Sequence, residues 1–212
     1  MNHGETPVPA TALPQAEAAE GAAAPPAASA WAPLRQPLFR SLWIAAVASN
    51  VGTWMQDVGA TWLMTSLTTS TILIALVPAA TTLPIFLLAP VAGALADVVD
   101  RRRLLLVTQG FMLAASAGLG ALTIAGRISA GSLLLFTFLV GMGTALNAPA
   151  WQSIFPELVG RRNLPAALAL NGIAINLARA AGPALGGIVV AAAGAGAPFL
   201  LNAASFLGVV VV

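Results

Sequence analysis

The chain has 212 residues, of which 58% are hydrophobic and 8% charged, and its formal net charge is +2. A soluble domain carries about 25% charged residues, so this composition excludes a water-covered globule and points to an integral membrane protein. The chain has no cysteine and one histidine, His3 in the polar N-terminal stretch, which excludes disulfides, thiolate chemistry and imidazole metal sites in the apolar part; the small net charge speaks against nucleic acid, and no cofactor is called for.

Residues 1–33 are rich in Ala, Pro and Glu without an apolar period, which predicts a disordered tail. No basic start followed by an apolar core is present there, so the tail is not a secretory signal. Leu34 to Arg40 forms a basic lead-in. Six apolar segments follow, each near the roughly 20 residues needed to span a bilayer. They run over Leu42–Ser66, Thr71–Ala96, Leu104–Ala125, Gly131–Ala150, Pro165–Ala193 and from Pro198 to Val212. Asn163 is the expected cap of the fifth, with Pro165 in its first turn. The sixth stops without a polar exit, so residues 34–212 read as a transmembrane bundle truncated within its sixth helix. The second segment holds Pro78, Pro84 and Pro90, each able to kink it.

The arginines set the expected orientation. Arg35, Arg40, Arg101, Arg102, Arg103, Arg161 and Arg162 fall on one side if every segment spans, and Arg127 falls alone on the other. By the positive-inside bias the N-terminus is cytoplasmic.

Asp57 and Arg179 are the ionisable side chains expected inside spans. At about 1.5 Å per residue, Asp57 lies roughly 25 Å along the helix beyond Arg40, and Arg179 roughly 21 Å beyond Pro165. Charges at such depth face a cavity or a partner. Asn50, Trp54, Asp57 and Thr61 share one helix face, and Asn171, Asn176 and Arg179 share another. These are the candidate substrate or proton pathway residues. Asp57 and Arg179 are either a fixed ion pair that orients the helices or part of a working site. Trp43, Trp62 and Trp151 lie near segment ends and are expected to anchor at the interface. Trp54 is mid-helix, and offers either an aromatic wall or ordinary packing.

Gly93, Asp97, Arg101 and Arg102 form a cytoplasmic loop between the second and third segments. Gly93 permits close helix approach, and Asp100 is placed to cap the third helix. This stretch resembles the loop motif of the major facilitator superfamily, with Val98 in place of a basic residue and Asp100 in place of the second glycine. Gly182-Pro183-Ala184-Leu185-Gly186-Gly187 resembles the core of that superfamily's antiporter motif, although Ala178 and Ala169 stand where upstream glycines are usual. Gly182, Pro183, Gly186 and Gly187 are accordingly expected to pack helices. The strings at 50–57, 147–152 and 176–179 are similar to the enterobactin exporter-like branch.

The resemblance implies an all-α membrane protein, with six transmembrane helices forming the N-terminal bundle of a twelve-helix fold. It implies a secondary transporter in the bacterial cytoplasmic (inner) membrane that exports a small amphiphilic compound, siderophore or drug-like, against protons. Its partners would be the substrate, the proton, the lipid bilayer and a C-terminal six-helix half. The loop would gate conformations. The fourth segment lacks the arginine usual in this superfamily, and Arg179 on the fifth is expected to supply that buried cation instead. An intramembrane enzyme is disfavoured because no nucleophile–base set lies in the spans. The alternative is a non-transporting six-helix scaffold.

Overall fold

A computed structural model describes residue 1 and residues 29–211. Most of the expected tail, His3 included, lies outside the described residues. A short 3-10 turn, Ala32–Arg35, leads into α1 (Pro37–Leu67), α2 (Thr71–Val98), α3 (Arg101–Ile124), α4 (Ala130–Ala193) and α5 (Gly196–Val211). Among the described residues there is no strand, so the all-α class holds.

Local chemistry explains most of the helix starts. Pro37 opens α1 from extended Gln36, where the missing N–H of proline costs nothing. Asp100 caps α3, its side chain accepting from the Arg103 N–H at 2.9 Å. Ser129 caps α4 in a reciprocal box with Ser132, so two of the orphan amides at that helix start are satisfied.

The largest departure from the sequence reading is α4. The expected connection at 151–164 is helical, and the fourth and fifth segments form one helical run. Its break is at Gly160, with φ 68° and ψ 163°, a backbone region open to glycine and closed to residues with a Cβ. Asn163 is therefore inside the second limb rather than its cap. Pro149, Pro156 and Pro165 lie within the run without ending it. A proline removes one backbone bond, whereas the reversal needs a positive φ, and Gly160 alone supplies it in this stretch.

Three helices, α2, α3 and α4, are long and apolar enough to cross a membrane. The sequence reading expected six spans. α4 counts once although Gly160 divides it, α5 has 16 residues, and Asn50, Gln56, Asp57 and several threonines dilute α1 below that level of apolarity. The α2 surface fits lipid: Leu83, Phe86, Leu87 and Val91 are exposed, Phe86 by 80%, as expected of a helix apolar all round.

α1 packs chiefly on α4 and α5, α2 on α4, and α3 on α4 and α5. Ala60, Leu63, Met64, Val77, Leu119, Leu133 and Phe199 form one apolar cluster. At the arginine-rich end, Phe39 packs with Phe155, Val159, Ala167 and Leu170 across both limbs of α4. Leu104 and Leu105 pack with Ala150 beside them. Buried amides and hydroxyls occupy the levels between these clusters.

Candidate functional site

The close approach of α1 to the second limb of α4 organises the site. Gly182 faces the Trp54 side chain, and a Cβ on Gly186 would stand 2.9 Å from the Met55 Cα. Both glycines are buried, and small residues of this kind let membrane helices touch backbone to backbone. Gly187 differs from the expectation, because it is exposed with no atom within 4 Å of a Cβ position. Gly93 is likewise free of close neighbours, so no tight helix contact forms there. Pro183 lines a cavity rather than a seam.

This seam divides the expected pathway face of α1. Asn50 lies in a chamber of about 370 Å³ together with Thr53, Gln109, Asn147, Trp151 and Asn171. Trp54, Asp57 and Thr61 lie in a separate groove of about 530 Å³ with Trp62 and Pro183. The Arg179 guanidinium sits 5.6 Å from the Trp54 ring centroid, a cation–π distance. Asp57 and Arg179 form no ion pair. Asn176 is exposed, its amide donating back to the Gly172 carbonyl at 2.9 Å, and it lines neither cavity. The structure therefore brings Asn50 to Asn171 and Trp54 to Arg179, and leaves Asn176 apart.

The chamber is built of amides and hydroxyls. Trp151 Nε1 donates to Asn171 Oδ1 at 3.2 Å, joining the two limbs of α4. Asn147 Oδ1 lies 3.0 Å from Thr108 Oγ1 and 3.5 Å from Gln109 Nε2. Trp43 Nε1 donates to the Leu170 carbonyl at 2.9 Å. Trp43 and Trp151 thus turn their N–H groups into the protein instead of serving only as outer anchors. Gln109 Oε1 has no partner, and an unsatisfied buried acceptor costs about 1–3 kcal/mol.

A second polar cluster ties three helices together. Gln56 Oε1 accepts from Ser116 Oγ at 2.9 Å and from Asn202 Nδ2 at 2.8 Å. All three residues are buried. Hydrogen bonds between membrane helices average about 0.6 kcal/mol each, so the cluster's weight lies in fixing helix rotation.

At the arginine-rich end, Asp97, Asp100, Arg101 and Arg102 line a pocket of about 410 Å³ with Glu157. Arg101 is ion-paired with Glu157, the one salt bridge among the described residues. The sequence reading missed Glu157, although it is the sole acidic residue after Asp100. It also left Gln56, Ser116, Asn202, Thr108 and Gln109 unassigned, since helical periodicity alone does not say which polar residues meet.

A family model described as "Transmembrane secretion effector" matches residues 28–212. The chain belongs to the major facilitator superfamily. It is 29% identical to the staphyloferrin A transporter of Staphylococcus aureus over 154 residues, covering 72% of this chain and 39% of the relative. It is 29% identical to the enterobactin exporter EntS of Salmonella typhimurium over 158 residues, covering 74% and 38%. It is 27% identical to the multidrug efflux pump Tap of Mycolicibacterium fortuitum over 165 residues, covering 76% and 40%. The chain spans about two-fifths of the length of these curated relatives.

Proposed function

We propose that this chain is the N-terminal six-span bundle of a proton-coupled exporter of small amphiphilic compounds. It sits in the bacterial cytoplasmic membrane with its N-terminus in the cytoplasm and works by alternating access against a C-terminal six-helix half. The observation that carries the reading is the family match over residues 28–212 together with relatives named for siderophore transport and drug efflux. Seven arginines on one side against Arg127 on the other support the orientation.

Each set of residues takes a role in this reading. Asn50 and Asn171 line the substrate path. Asp57 is the proton carrier, being the acidic side chain in the spans, and the Trp54–Arg179 pair holds a cation one turn from it. Asp97, Arg101 and Arg102 bias the equilibrium between states. The Arg101–Glu157 pair supports this, because it couples the start of α3 to the first limb of α4. Gly182 and Gly186 hold α1 and α4 in register during the motion.

The test is accumulation of a fluorescent amphiphile in an efflux-deficient bacterium expressing the complete gene product. We expect lowered accumulation that an uncoupler abolishes and that Asp57→Asn loses. Lowering that survives both treatments would overturn the proton assignment. Unchanged accumulation across a panel of amphiphiles, with the protein in the membrane, would overturn the export reading.

A further inference from the structure

Gln109 separates the chamber's chemistry from that of the rest of the bundle. It is 4% exposed, it lines the chamber, and its Oε1 has no hydrogen-bond partner. Buried acceptors are ordinarily satisfied. Gln56 shows the ordinary outcome, its Oε1 taking two bonds. The Gln109 amide is held at one end only, by the 3.5 Å contact of Nε2 to Asn147, which is at the outer limit of a hydrogen bond. Its terminal torsion is soft, so the amide is free to exchange this weak contact for one that turns its oxygen toward an occupant.

Several of the surrounding donors are already taken up by the protein. Asn50 Nδ2 donates to its own helix at the Ala46 carbonyl, 2.8 Å away. The hydroxyls of Thr53 and Thr144 donate to the Ser49 and Val140 carbonyls at 3.0 Å. The Trp151 N–H is taken by Asn171. Amide N–H groups of Asn147 and Asn171 remain in the lining, but among the fully buried side-chain atoms of the chamber the unpartnered one is an acceptor, Gln109 Oε1. No lining residue carries a charge. Any ion would therefore lose hydration there without a counter-charge.

We propose that this chamber takes uncharged amphiphilic molecules bearing N–H or O–H donors, with Gln109 Oε1 as the acceptor that sets the preference. As a statement about exported substrate it rests on the transport reading above; as a statement about binding it stands on the chamber alone. The site is lined by α1, α3, both limbs of α4 and α5, so it is built within this bundle.

The test is equilibrium binding to the complete protein in lipid nanodiscs, with no ion gradient, using three matched coumarins. They are 7-amino-4-methylcoumarin (a donor), its 7-dimethylamino analogue (no donor) and 7-amino-4-methylcoumarin-3-acetate (an anion). We expect the amino compound to bind about tenfold tighter than the dimethylamino one, the weight of one well-formed hydrogen bond, and the acetate to bind weakest. Gln109→Met keeps the volume and removes the oxygen, and should bring the first ratio below about twofold with dimethylamino binding unchanged. Retained binding of the dimethylamino compound by Gln109→Met separates lost recognition from lost folding. A preference that persists in Gln109→Met, acetate binding as tight as amino binding, or binding of none of the three would overturn the proposal. Cellular export without a Gln109-dependent preference would sink this inference alone. A Gln109-dependent preference without export would uphold the chamber and sink the transport reading.

Discussion

Replacing Gly186 by alanine probes the seam between α1 and the second limb of α4. The new Cβ would lie 2.9 Å from the Met55 Cα and 3.1 Å from the Met55 carbonyl oxygen. Ordinary carbon–carbon contact is about 3.5–4.0 Å. Both neighbours are backbone atoms, so no rotamer change relieves the overlap, and the helices must part by about 0.6 Å or more. Overpacking of this kind costs about 1–3 kcal/mol. Alanine returns at most about 1 kcal/mol through helix propensity. The net expectation is destabilisation by about 1–2 kcal/mol, a drop of about 5- to 30-fold in the folding equilibrium. Gly187 supplies the control in the next position. With no atom within 4 Å of its Cβ position, Gly187→Ala keeps the propensity gain without the overlap and should leave stability unchanged or raised by up to about 1 kcal/mol. The assay is reversible unfolding in mixed detergent micelles, followed by tryptophan fluorescence, because Trp54 lies beside the seam. Equal destabilisation by both substitutions would refute the reasoning, since it would mean that the glycines matter through the backbone and not through contact.

Two further outcomes follow from the polar contacts. Gln56→Leu removes the acceptor shared by Ser116 and Asn202 and should destabilise the bundle by about 1–3 kcal/mol in the same unfolding assay, whereas Ser116→Ala, which removes one of the two donors and leaves Asn202 bonded, should cost less; the reverse order would contradict the network. Glu157→Gln removes the charge from a pair whose side chains are 45% and 59% exposed, so stability should change by less than about 1 kcal/mol and the change should fade in high salt, while a larger, salt-independent loss would show that the pair is not a surface interaction.

The fold class was legible because composition settles it. A chain with 8% charged residues cannot cover itself in water, and long apolar runs satisfy their own backbone only as helices in lipid. Asp100 as the cap of α3 was legible because capping is a contact between near neighbours in sequence. Gly182 and Gly186 were legible as a seam from their four-residue spacing, but the same reasoning wrongly included Gly187, because spacing names a face and not the neighbour it meets.

The connection between the fourth and fifth segments was misplaced for a similar reason. Polarity and proline near 151–165 read as a loop, yet the helix continues to Gly160, where positive φ breaks it. The division of Asn50 from Trp54 and Asp57 was not in the sequence either. They share one helix face, and only the second limb of α4, pressing on α1 at Trp54 and Met55, separates them into two cavities. The meeting of Arg101 with Glu157, of Gln56 with Ser116 and Asn202, and the unanswered oxygen of Gln109 are contacts between distant segments. Sequence alone determined the membrane character and the all-helical class, which are properties of composition and short spacing. Tertiary structure alone decided which buried polar groups find partners, because that depends on the rotation and depth at which the helices dock.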